Sequence, residues 1–108
     1  MSSDSEQAVI VRLDGQSLPQ AVYDEYDLAT IEDELIEIIT KNDAGEFDGN
    51  EIGGDGATLY MYSTDAERLF GLIEPALRAY PLCRGAKVTI RHGAPGAAER
   101  IVVLDSGA

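Results

Sequence analysis

Leu28, Ile31, Leu35, Ile38 and Ile39 recur at the three-to-four spacing of a single helical stripe, with acids filling most of the positions between them. The pattern predicts an amphipathic helix from Asp27 to Asn42. Asp27 is a natural N-cap, Glu37 stands four residues before Lys41, and Gly45 lies beyond the end. A second stripe, Leu69, Phe70, Ile73 and Leu77, follows Thr64-Asp65-Ala66-Glu67, which has capping-box spacing. Pro75 removes a backbone donor inside it, so a kink or weakened turn is expected, and Pro81 helps to end it.

Other segments follow the period of two. Ala8 to Leu13 (AVIVRL) is rich in β-branched residues and stops at the turn signal Asp14-Gly15. Ala57 to Tyr62 sets Leu59 and Met61 on one side and Thr58, Tyr60 and Tyr62 on the other. Lys87 to Arg91 and Arg100 to Leu104 read as strands joined in a hairpin around residues 92–98. Phe47 and Ile52 suggest a weaker strand that folds back through Gly53-Gly54-Asp55-Gly56. Residues 14–27, with Pro19 among them, read as a surface connector with short ordered pieces.

The element order is thus β-α-β-β-α-β-β. Two amphipathic helices that each cover part of one sheet face predict an α+β, two-layer sandwich. The first six elements have the ferredoxin-like βαββαβ order, with an added C-terminal strand. Residues 1–7 are expected to be a disordered N-terminus, and residues 8–105 a single α+β domain.

Charge changes this picture more than composition does. Residues 1–55 hold 15 Asp/Glu against Arg12 and Lys41, a charge of −13, whereas residues 56–108 hold 5 against 6 Lys/Arg, a charge of +1. Salt adaptation would spread acids over every face, so segregation points to an acidic surface that docks a basic protein partner, or alternatively to a solvated acidic face with no partner. Nucleic acid is disfavoured as a partner. No apolar run reaches the ~18 residues of a membrane span, so no membrane partner is expected and the location expected is cytoplasmic. Cys83 stands alone, without the second cysteine of a disulfide, which suits a reducing compartment.

The segment GEFDGNEIGGDG, residues 45–56, invites a calcium reading, since Asp48, Asn50 and Gly53 match the first, third and sixth positions of an EF-hand loop. Ile52 and Leu59 then occupy positions that need oxygen ligands. The glycines instead suit a turn, and their acidic neighbours would repel a phosphate. His92 has no oriented partner marked by motif, and Cys83 is read as a small buried thiol despite neighbouring Arg84. With no nucleophile-base-orienter set, the chain is read as a non-enzymatic protein that needs no cofactor and no metal.

Recognition remains. Tyr23-Asp24-Glu25-Tyr26-Asp27 places two aromatics among acids, so Tyr23 and Tyr26 are candidate anchors, or alternatively a lid over the hydrophobic layer. Glu32, Asp33, Glu34 and Glu37 would supply a carboxylate row, extended by Asp48, Glu51 and Asp55. An alternative is a small regulatory or ligand-binding domain with a pocket between helix and sheet.

Phe47-Asp48-Gly49-Asn50-Glu51, Leu59-Tyr60-Met61-Tyr62, Asp65-Ala66-Glu67-Arg68-Leu69-Phe70 and Arg84-Gly85-Ala86-Lys87-Val88-Thr89-Ile90-Arg91 carry a further likeness. Residues 45–104 resemble a group of small uncharacterised bacterial proteins. That resemblance implies a bacterial α+β domain and transfers no catalytic residue. In size and acidity the chain also resembles immunity proteins of bacterial toxin systems, which implies an inhibitor that neutralises a toxin by binding it.

Overall fold

The computed structural model describes residues 6–53 and 56–104. β1 (Gln7–Asp14) opens the fold, and the Gln7 side chain donates to Thr64 O and accepts from Ala66 N. Residues 1–5, most of the segment expected to be disordered, lie outside the described residues, as does Asp105 at the expected domain end. The stretch read as a connector contains a short helix, α1 (Gln20–Glu25), entered through Pro19. Proline starts a helix readily because the donor it lacks has no intrahelical acceptor there.

α2 (Leu28–Asn42) matches the predicted stripe: Ile31, Leu35 and Ile39 are buried. Asp27 caps it by accepting from Thr30 N, and Asp43 ends it in the left-handed conformation at φ 50°. The stop therefore comes two residues before Gly45. β2 (Glu46–Gly53) and β3 (Gly56–Ser63) pair antiparallel, with a bulge between Phe47 and Gly49 that leaves Asp48 without a cross-strand partner.

α3 (Ala66–Ala79) buries Ala66, Leu69, Phe70, Ile73 and Leu77. Its cap is Asp65, which accepts from Arg68 N at 3.1 Å, one residue later than a box opened by Thr64. The helix continues through Pro75 to Ala79. Pro75 and Gly71, whose carbonyl loses its intrahelical donor, are both exposed, so water can replace the lost bond cheaply. A 3-10 turn over Pro81–Cys83 then leads to β4 (Lys87–Arg91) and β5 (Glu99–Val103), which form the C-terminal hairpin.

The five strands make one antiparallel sheet in the order β2-β3-β1-β4-β5. The fold is α+β, with three helices beside this sheet. Alternation divides its two faces. Val9, Val11, Leu13, Leu59, Met61, Val88 and Ile90 are buried and join the helix residues in one core. The intervening Ile10, Tyr60, Tyr62 and Thr89 are only half-buried, and among the described residues no element lies over their side of the sheet. Ser63, the one buried polar side chain among the described residues, donates to Ala44 O (2.7 Å) and accepts from Asp65 N (2.9 Å). It ties the start of β2 to the entry of α3.

Candidate functional site

The acids predicted to form a row on α2 diverge instead. Successive helical residues are rotated by about 100°, so Glu32, Asp33 and Glu34 sweep about 200° of the helix surface and cannot share one face. Glu32 turns toward the sheet and accepts a hydrogen bond from Asn50 on β2. Asp33 and Glu37 stand out into solvent. Glu34 lies on the opposite flank, near enough to Cys83 for its charge to disfavour the thiolate. Asp33 and Glu37, about 40° apart, crown the solvent face of α2 between those two flanks, and Glu32 and Ile36 lie nearest the β2 edge.

Pleating separates Asn50 from Glu51 on β2 as well. Asn50 points to the helix side, whereas Glu51 points to the other face and accepts from Tyr60 Oη at 2.9 Å. That bond in turn raises the Tyr60 hydroxyl above its ordinary pKa. Asn50 and Glu51 therefore cannot converge on one cation, and Asp48 sits apart on the bulge. Asp55 lies outside the described residues. Among the described residues, no three His, Cys, Asp or Glu side chains are grouped so as to hold a metal ion.

Tyr23 and Tyr26 prove to be packing residues. Tyr23 Oη donates to Asp14 O (2.9 Å) and accepts from Leu18 N (3.1 Å), latching the loop after β1. In the same loop Asp14 accepts from Gln16 N and Ser17 N, which lowers its carboxyl pKa. Tyr26 meets Tyr80 edge to face at 5.5 Å, and Tyr80 Oη donates to Asp27 O (2.6 Å). Both tyrosines are half-buried against the core, the packing expected of a lid. Tyr23→Phe removes both bonds of the latch and leaves a part-buried amide without a partner. A loss of about 1–2 kcal/mol in urea unfolding is expected, with binding of any partner at the α2 surface unchanged.

Two large apolar residues are exposed on the same side as the Glu32–Asn50 bond. Ile36 is 42% exposed and Ile52 is 71% exposed. Ile36 follows Glu32 by one helical turn, and Ile52 follows Asn50 by one strand repeat, so the two flank the Glu32–Asn50 bridge. Ile36 was readable as the large apolar residue of α2 that falls off the stripe. At the Ile52 end a cleft of about 230 Å³ opens, walled by Leu13, Tyr23, Leu28, Ala57 and Leu82. It lies below the roughly 300 Å³ of small pockets that bind drug-sized ligands.

No protein-family model, curated protein or solved structure matches this chain.

The two groups weighed for catalysis are far apart. Cys83 follows the C-terminus of α3, is buried, and has its thiol pushed up to about 12, first by burial and then by Glu34. His92 bonds Glu67, at the N-terminus of α3, through Nε2 at 2.7 Å. The 14 residues of that helix span about 20 Å, so no Cys83–His92 pair forms.

Arg100 completes the Glu67 cluster, donating from Nε (2.8 Å) and Nη2 (2.7 Å) and lying over Phe70. This fork-shaped pair ties the C-terminal hairpin to α3. Arg100 first, then His92, holds the Glu67 carboxyl down from 4.5 to about 2. A depressed carboxyl stabilises the fold above its unfolded value, and the benefit fades as pH falls from about 4.5 toward 2. Solvent screening limits the effect, since the Glu67 side chain is 42% exposed. Glu67→Gln is expected to cost under about 1 kcal/mol at pH 7 and nothing at pH 2, read from urea midpoints at the two pH values.

Proposed function

We propose that the protein is a non-enzymatic interaction module that docks a basic protein partner along the seam between α2 and β2. One observation carries the reading: among the described residues, Asp33, Glu37 and Asp48 are exposed without an ion-pair partner, while every ion pair involves an acid of α3. Uncompensated carboxylates around two exposed isoleucines combine steering charge with a small apolar anchor. Among known kinds of protein, this suits an inhibitor of the immunity type, acting on a basic toxin domain such as a nuclease. The resemblance of residues 45–104 to small bacterial proteins is compatible with it.

The cleft beside Ile52 supports a second reading, a small regulatory or ligand-binding domain. Its size suits one apolar group, such as a partner's aliphatic side chain, so the cleft also fits within the first reading. For the fold, we propose the ferredoxin-like assignment as a reading of the topology. Its support is the pair of crossovers, β1 to β2 and β3 to β4, that each pass one intervening strand, with α1 and β5 as additions.

The test is a pull-down from bacterial lysate with wild-type and acid-reversed bait, washed at low and at high salt. A stoichiometric basic protein that is retained by wild type, released by salt and missed by the reversed bait is the expected result. Equal retention by both baits would overturn the proposed surface.

A further inference from the structure

The sheet face opposite the helices carries a different chemistry from the rest of this acidic chain. Three of its eight Lys/Arg, namely Arg12, Lys87 and Arg91, alternate there with Ile10, Tyr60 and Tyr62. Ile101 and Val103 continue the face onto β5 at 57% and 54% exposure. The ladder register arranges these residues in rows across the sheet. One row runs Glu46, Tyr62, Ala8, Arg91 and ends on β5 at Glu99; the next but one runs Glu51, Thr58, Arg12, Lys87 and ends at Val103. Each row is acidic on β2 and basic on β4, with Tyr60 beside Ile10 in the row between.

That polarity is self-complementary. A two-fold axis parallel to the strands, between β1 and β3, lays β2 of one copy over β4 of the other and keeps every row in register. Glu46 then faces Arg91 of the second copy, Glu51 faces Lys87, and Tyr60 lies on Ile10, each twice by symmetry. We propose that this open face is the contact surface of a homodimer. The inference is independent of the docking seam, which lies on the α2 side.

Area and long-range charge agree with it. Four overlapping strands, at about 4.8 Å spacing and about 3.4 Å per residue, cover on the order of 500 Å² in projection. Because β4 has only five residues, two such faces reach the roughly 1,000 Å² that a specific interface needs once side-chain relief is counted. The acid-rich α2 layers point away from each other, separated by two sheets and well beyond the Debye length of about 8 Å. Their repulsion is therefore screened, and the near-balanced charges of the open face decide the contact.

Sedimentation equilibrium over a range of protein concentrations tests this, with circular dichroism checking the fold of each variant. Wild type is expected at twice the chain mass. Lys87→Glu with Arg91→Glu makes both edges acidic, and Glu46→Lys with Glu51→Lys makes both basic, so each double variant alone is expected to be monomeric. Mixing the two is expected to restore the dimer as a heterodimer. A wild-type monomer at high micromolar concentration overturns the proposal. So does a dimer that survives both double variants, which would place the contact elsewhere, as in edge pairing through β5.

Discussion

Gly56→Ala is expected to destabilise the protein by about 3 kcal/mol or more, a large share of the ~5–15 kcal/mol that holds a typical domain together. Gly56 has φ +150°, and a β-carbon there would lie 2.1 Å from Leu13 O and 2.9 Å from Gly15 N. Both neighbours are backbone atoms of β1 and its turn, paired with β3 at the centre of the sheet, so neither yields without breaking the ladder. Backbone strain of about 1–3 kcal/mol and overpacking of similar size then add. Gly53, three residues earlier, has no positive φ, and a β-carbon added to it would point into open space, with no atom within 4 Å. Gly53→Ala should stay within about 0.5 kcal/mol. Urea unfolding of the two variants side by side checks the contrast, and equal stabilities would contradict the close approach of β3 to β1.

The acid reversal Asp33→Lys with Glu37→Lys is expected to slow association with the basic partner about 10- to 100-fold at low salt. The difference should shrink as salt is raised, because steering acts through the long-range field. Both side chains are exposed and have no ion-pair partner among the described residues, so stability should change by less than about 0.5 kcal/mol. Glu34→Lys is the control for either reversal made singly: it carries the same charge change as Asp33→Lys on the far flank of the helix, near Cys83. Association rates from stopped flow, once the partner is in hand, separate the two positions. Equal slowing by single reversals at Glu34 and Asp33 would mean that net charge, and not this seam, governs the encounter.

The segment at residues 45–56 shows where one-dimensional reading works. Its glycines mark real backbone demands: Gly45 has φ +142° against Tyr62 O, and Gly56 has its approach to β1. Composition alone ranks Gly53 with them, yet only the position of β1 distinguishes Gly56. The polar residues of the same segment were readable as a cluster but not as a surface, because the pleat sends Asn50 and Glu51 to opposite faces and the bulge sets Asp48 apart.

Capping shows a similar limit. Thr64 and Asp65 both carry oxygens suited to an N-cap, and local spacing favours Thr64 because Glu67 stands three residues later. In the fold Glu67 is drawn to Arg100 and His92, residues more than 20 positions away, and Asp65 takes the cap. A charged fork across the tertiary structure outcompetes a local bond to an exposed amide.

Hydrophobic period determined the stripes of α2 and α3, the β-branched strands and the α+β class, because those choices follow from which residues must leave water. Charge counting determined that the first half of the chain is acidic. Tertiary structure decided the rest: which strand sits beside which, that Tyr23 and Tyr26 latch and pack, and that Ile36 and Ile52 remain exposed. It also decided that Glu46 and Glu51 share rows with Arg91 and Lys87. Those outcomes depend on contacts between residues distant in sequence, whose geometry is set only when the sheet closes around its core.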